Sequence, residues 1–197
     1  MSLVPQKGHG INEAGGGGLP LKWNTVTSSD KYTFSVDDTV ATQDGGSRNT
    51  AFGLYPKTTG KWYCEIEITI ESSKSYVGVA IEGYGSSSEL NQSGSSSYRT
   101  GGNKYCDGNQ GSHDGNDTGD GQINMVAIDF DAQLFWIGVD GIWVNSGDPA
   151  SAANPACSGS SFNSSTMAVN GQQTGDVFTI LQSPTYAIPA GFSYWEG

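Results

Sequence analysis

Cations are scarce in this chain. Nine lysines and arginines face twenty aspartates and glutamates, giving a formal charge of −11 and a sequence pI near 4.3. Binding nucleic acid through its phosphates needs clustered Lys and Arg, and so does adhesion to an anionic membrane surface, so neither partner is expected. The acidic surplus is read first as solubility for a loop-rich protein, with an acidic site for a basic partner as the alternative.

Long apolar runs are missing as well. Nothing approaches the length of a membrane span, and no basic stretch followed by an apolar one marks a signal peptide, so no membrane insertion is expected. Three cysteines do not make a paired framework, and synthesis in a reducing cytoplasm fits them best. Cys64 falls inside a strand pattern, where a buried free thiol is ordinary; a Cys106–Cys157 bridge is the open alternative, because spacing alone does not bring their Cα atoms within bridging reach. The two histidines, His9 and His113, have neither a second His nor a Cys at metal spacing, which argues against zinc. No Gly-x-Ser-x-Gly elbow and no phosphate-cradling Gly-Lys-Ser/Thr loop is present. No cofactor is expected.

Glycine is abundant, at 29 residues, while apolar residues make up only 35%. That balance implies short strands joined by long polar loops. A chain of 197 residues suits one all-β domain. Residues 1–20, with four consecutive glycines, read as a flexible segment, and Met1–Leu3 together with Glu196–Gly197 read as cloning remnants. The folded domain is expected over residues 21–195.

Strand patterns then follow one another. "YTFSVDDTVAT" predicts a hairpin around Asp37 and Asp38, and "NTAFGLY" a further strand. In "GKWYCEIEITIE", Trp62, Cys64, Ile66, Ile68 and Ile70 alternate with Tyr63, Glu65, Glu67, Thr69 and Glu71, predicting one core face and one wet face. "SYVGVAIEGY" predicts a buried strand, Ser86–Ser97 a loop, "YRTGGNKYC" a hairpin around Gly101 and Gly102, and "DGNQGSHDGNDTGDG" a long loop. Residues 134–139 are apolar on both faces, which predicts a central strand covered on each side, and Asp140-Gly141 is a two-residue hairpin turn. "DVFTIL" and "YAIPAGFSYW" close the domain. With no convincing helical period, the expectation is an all-β fold, a two-sheet antiparallel β-sandwich.

These pieces resemble the SPRY domain family in its phage and prophage variant. "LKWNTVTSSDKYTFSVDDTVAT" is similar to the variant's opening hairpin, "TTGKWYCEIEI" and "VGVAI" to its successive strands, "VAIDFDAQLFWIGVDGIWVNSGDPASAANPA" to its longest signature, and "YAIPAGFSYW" to its ending. The resemblance runs from Leu21 to Trp195. Gly121-Gln122 stands where Gly-Asp is usual, and Asp140 where Asn precedes Gly; both departures preserve turn chemistry. It implies a concanavalin A-like sandwich of the lectin and glucanase type, not known as enzymatic, whose loops present a surface to a protein or peptide in a virion or tail-associated protein. Binding of a host-surface glycan and a ligand-free decoration role are the alternatives.

Candidate ligand contacts are the loop-junction aromatics Tyr84, Tyr98, Tyr105, Trp143 and Trp195, which could stack on sugar or anchor a peptide, and Arg99. Asp114, Asn116, Thr118 and Asp120 alternate as in a calcium loop, yet Met125 stands where the bidentate Glu belongs, so turn chemistry is the preferred account and calcium the weak one. Glu65 and Glu71 would lie roughly 20 Å apart along one strand, out of register for a glycosidase pair, which favours a solvated strand face.

Overall fold

The computed structural model describes residues 18–46, 48–112, 117–159 and 162–197. Nearly all of its regular structure is β, in two sheets. β1 (Tyr32–Phe34), β2 (Val40–Gln43), β4 (Lys61–Ile70), β9 (Gln122–Asp129), β10 (Leu134–Val139), β11 (Ile142–Trp143) and β14 (Val177–Ile180) form the larger sheet, in the order β1-β2-β14-β4-β9-β10-β11. Two short strands join it: β12 (Cys157–Ser158) pairs with β10, and β15 (Ser193–Tyr194) runs parallel to β4. The smaller sheet orders β3 (Asn49–Phe52), β13 (Ser165–Gly171), β5 (Tyr76–Ile81), β6 (Ser95–Arg99), β7 (Asn103–Cys106) and β8 (Asn109–Ser112). The expected two-sheet sandwich is therefore the fold.

Alternation sorts the side chains. Cys64, Ile66 and Ile68 of β4, Val126 and Ile128 of β9, and Phe135, Ile137 and Val139 of β10 meet Ala51, Val169, Val77, Val79 and Tyr98 of the other sheet in the main core. Each fully buried Ile or Phe there contributes roughly 1.5–3 kcal/mol. The turn between β10 and β11 works as its residues suggest: Asp140 and Gly141 have φ of +48° and +85°.

The outward faces are covered too, which the pattern of β4 did not foretell. On the larger sheet, Tyr63, Met125, Ala127, Trp136 and Phe192 form a second cluster beneath the C-terminal segment. Glu65, expected in water, is fully buried there. Its carboxylate accepts hydrogen bonds from the Tyr63 hydroxyl at 2.6 Å and from the backbone N–H groups of Thr185 and Tyr186 at 2.7 and 2.9 Å. On the smaller sheet, Phe52, Tyr76, Ala80, Leu90, Tyr105 and Ala168 form a third cluster. Leu90 comes from the β5–β6 connection, tied down where Ser97 donates to its carbonyl and where Thr50 and Asn170 donate to the Ser88 carbonyl at 2.6 and 3.1 Å.

Two strands depart from the sequence reading. β13 is buried along its whole length, although no strand is predicted from the sequence in the Gly-, Ser- and Asn-containing stretch before "DVFTIL". Two of its polar side chains are paired internally, Asn170 donating to the Asn49 carbonyl at 2.8 Å and Thr166 to the Gly53 carbonyl at 3.0 Å. Asn109–Ser112, placed in a long loop, pairs with β7 as an edge strand. The cysteine expectation is corrected as well: Cys106 of β7 and Cys157 of β12 are disulfide-bonded, with Cα atoms 5.4 Å apart, and only Cys64 is free, deep in the core. The bridge joins one sheet to the other, because β12 lies on β10 where the sandwich brings it under β7.

Two measurements follow from this architecture. The bridged cysteines are 51 residues apart, and chain entropy alone assigns such a loop roughly 4 kcal/mol. Cys106→Ser/Cys157→Ser should therefore lose about 2–4 kcal/mol in urea denaturation, and the wild type should show the same loss when reductant is added. Asn124, between Ile66 and Val139 in register, is fully buried with no partner for its amide nitrogen or oxygen among the described residues. Asn124→Leu should raise unfolding free energy by about 1–2 kcal/mol; a decrease would mean that buried water satisfies the amide.

Candidate functional site

Near the edge of the smaller sheet the chain opens a cleft of about 380 Å³, within the range of small-ligand and side-chain pockets. Three segments remote in sequence build it. The first is the turn after Trp23, where Asn24 Oδ1 accepts the N–H groups of Val26 and Thr27 at 3.0 and 3.1 Å. That turn leaves Val26 89% exposed. The second is the exit of β3, which Trp23 joins through a bridge to Gly53. The third is the exit of β5, where Gly83 has a φ of +82° and turns the chain back over the sheet.

Phe52, Leu54, Pro56, Ile81 and Tyr84 supply the apolar wall, and Asn24, Thr27, Ser86 and Thr166 the neutral polar one. Leu54 is 37% exposed. Tyr84 is half-buried with its ring edge-on to Phe52 at 6.4 Å; its hydroxyl donates to the Glu89 carbonyl, and burial raises its phenol above the ordinary value. Glu82 is the single charged residue of the lining. Its backbone N–H is fixed to the Ser164 carbonyl at 2.8 Å, and its carboxylate accepts the Ser164 hydroxyl.

Of the aromatics named from sequence, only Tyr84 lines this cleft. Tyr98 points into the main core, because it shares register with Val77, and is fully buried rather than presented by a loop. Tyr105 lies under the outer cluster against Tyr76, ring centroids 5.6 Å apart, with the Arg99 guanidinium 5.8 Å from its ring. Burial pushes the Tyr76 phenol up to about 12. Trp195 is buried edge-on to Phe130, and its indole N–H donates to the Tyr55 carbonyl at 2.8 Å. Tyr98, Tyr105 and Trp195 are thus packing residues here, a correction to their expected exposure. Trp143 is half-buried on the opposite sheet, edge-on to Tyr63 at 6.3 Å, so it is not brought together with Tyr84 or Arg99. Leu54 and Glu82 went unmarked in the sequence, and the one local signal for Leu54 was an apolar residue between a strand and Pro56.

Acids gather at the far end of the sandwich. Asp176 is buried and accepts the N–H groups of Ser72, Gln172 and Gln173 at 2.7, 2.9 and 3.1 Å. Glu71 accepts the Ser75 N–H at 2.7 Å and the Thr100 hydroxyl, while Asp120 accepts the Glu71 N–H. Desolvation raises the Glu71 carboxyl above its ordinary range, and the charges of Asp176 and Asp120 push the same way. Asp114 and Asn116 of the weak calcium reading lie outside the described residues. Among the described residues no group of three or more His, Cys, Asp or Glu side chains is arranged to hold a metal ion, and no helix is long and apolar enough to cross a membrane.

No protein-family model matches the chain, and no curated protein sequence matches it. Solved structures do. The SPRY domain of human HERC1 superposes with a TM-score of 0.63 at 16% identity, covering 83% of this chain and 99% of that one. The TRIM65 PSpry domain gives 0.60 at 11%, covering 83% and 93%. Stonustoxin gives 0.58 at 14%, covering 82% of this chain and 27% of the toxin. The fold is SPRY-like.

Glu71 offers a pH test of the acidic end. A carboxyl whose folded pKa is raised favours folding while protonated, and that contribution is lost as pH rises through the folded value. Glu71→Gln keeps an acceptor for Ser75 and Thr100 without the charge. The variant should melt above the wild type at pH 7, with the gap closing as pH falls through the raised folded value and gone once pH is below the ordinary carboxyl range, about 4; thermal scans across that window measure it.

Proposed function

We propose that this SPRY-like domain is a non-catalytic recognition module that takes a protein or peptide segment into the cleft around Leu54, Tyr84 and Glu82. The observation that carries this reading is a concave site with an apolar wall, a partly exposed Leu54 and one acid. Adhesion to nucleic acid is disfavoured by the charge of −11. A glucanase-like role finds little support, since Glu65 is buried and accepts from three donors while Glu71 lies just past the C-terminal end of β4. The motif resemblance favours a phage or prophage structural or tail-associated protein as the setting, with residues 21–195 as the folding unit; residues 1–17 of the expected flexible segment lie outside the described residues.

Host-surface glycan binding is the second reading, and it belongs elsewhere on the molecule. Trp143 is half-exposed beside Ile142, which is 57% exposed, and Tyr186 stands over Gly141 of the same hairpin. An aromatic rim of this kind can stack on sugar rings.

The two readings separate on bacterial cells. Labelled domain should bind in a manner abolished by protease treatment of the cells and insensitive to periodate, and Leu54→Asp should weaken binding at least about tenfold while changing stability by no more than about 1 kcal/mol. Loss on periodate and on Trp143→Ala, with Leu54→Asp silent, would transfer the function to the glycan rim. Binding to no cell would remove the host-surface form of the proposal.

A further inference from the structure

The charge pattern of the cleft narrows its partner. Glu82 is its single charged residue, and among the described residues no ion pair reaches it; its carboxylate holds only the Ser164 hydroxyl. The cations beside the lining segments, Lys57 and Lys22, are committed elsewhere. Lys57, next to Pro56, donates to the Glu196 carbonyl and lies 4.0 Å from the Trp62 ring centroid. Lys22, whose carbonyl accepts the Leu54 N–H, points its ammonium toward Asp38 at 3.9 Å. Glu89, below Tyr84, is already paired with Arg48 at 2.8 Å. Glu82 is thus an exposed anion with no countercharge among the described residues, beside an apolar wall, in a molecule of net charge −11.

Its position is also set before any ligand arrives. The backbone N–H bond to Ser164, antiparallel pairing of β5 with β13 as far as Ile81 and the Gly83 turn fix where the carboxylate leaves the chain. A fixed acid next to an aliphatic trough matches one chemistry, a cation carried a short distance from an apolar group. Resting on the recognition reading above, we infer that the cleft selects an extended basic peptide: an aliphatic or aromatic side chain packs against Phe52, Leu54 and Pro56, and a Lys or Arg within about three residues of it, at roughly 3.3 Å per residue, pairs with Glu82. Opposite net charge accelerates the encounter, so association slows as salt is added.

A random dodecapeptide display library is the probe. Panned on the wild-type domain at low salt, it should enrich sequences that share an apolar residue with a Lys or Arg nearby. A synthetic peptide of the enriched sequence, followed by fluorescence anisotropy, should bind Glu82→Gln about fivefold more weakly, the size of one partly exposed ion pair. Replacing its basic residue by Glu should restore binding to Glu82→Lys. Enrichment without a basic residue, in peptides that Leu54→Asp still fails to bind, overturns the charge selection and leaves the recognition reading standing. Enrichment of no sequence that depends on Leu54 overturns both.

Discussion

Burial of both faces of β4, β9 and β10 is the constraint from which the rest of the molecule follows. Their inward residues meet the second sheet, as in any sandwich. Their outward residues, Tyr63, Met125, Ala127 and Trp136 among them, are apolar as well, and a sheet of this kind needs a second cover. The C-terminal segment supplies it, ending in β15 alongside β4 with the Trp195 N–H on the Tyr63 carbonyl at 2.7 Å. Once that segment lies across the sheet, Glu65 is sealed beneath it, and the Thr185 and Tyr186 N–H groups become its partners. The smaller sheet meets the same requirement differently. Leu90, from the β5–β6 connection, packs with Phe52, Tyr76, Ala80, Tyr105 and Ala168 and is held by the Ser97 hydroxyl on its carbonyl; beside it the β5–β6 pairing is so close that a Cβ at Gly78 would run into the Ser96 carbonyl. The course of that connection carries Glu82 and Tyr84 to the cleft, so the candidate site is a by-product of how an outer face is covered.

Much of the frame was legible because its signals are local. The alternation of β4, the two-sided strand at residues 134–139 and the Asp140-Gly141 turn are each contained in a dozen residues or fewer. What escaped depends on partners distant in sequence. β13 reads as loop because its polar residues Thr166 and Asn170 satisfy their side chains on neighbouring backbone rather than in water. Tyr98 and Tyr105 alternate on β6 and β7 in a way that buries both, one in the main core and one under the outer cluster, and nothing in their immediate context distinguishes a buried tyrosine from a displayed one. The Cys106–Cys157 bridge required knowing that β7 and β12 face each other from different sheets. The cleft is assembled from residues near 24, 54 and 84, so no single motif could have announced it.

The solved SPRY-like structures share this frame at 11–16% identity. Such likeness at so low an identity is what a sandwich permits, since its core asks for apolar residues of suitable volume at alternating positions rather than for particular side chains. The connections are under no such rule. Here they carry the acid and the exposed apolar groups, and the rigid sheets hold those groups at fixed positions without depending on their identity.

The disulfide also determines how the domain answers tension. Residues 106–157 form a covalently closed ring, and β9 and β10, the central strands of the larger sheet, lie inside it. Force applied through the two ends of the chain passes across the bridge and leaves the ring unstretched. A fully extended oxidised chain falls short of its reduced length by roughly 170 Å, at about 3.4 Å for each of the 51 bridged steps. The strands within the ring stay close to one another even when everything outside it has been pulled straight, so a domain that has been mechanically opened keeps its central hairpin confined and poised to reassemble.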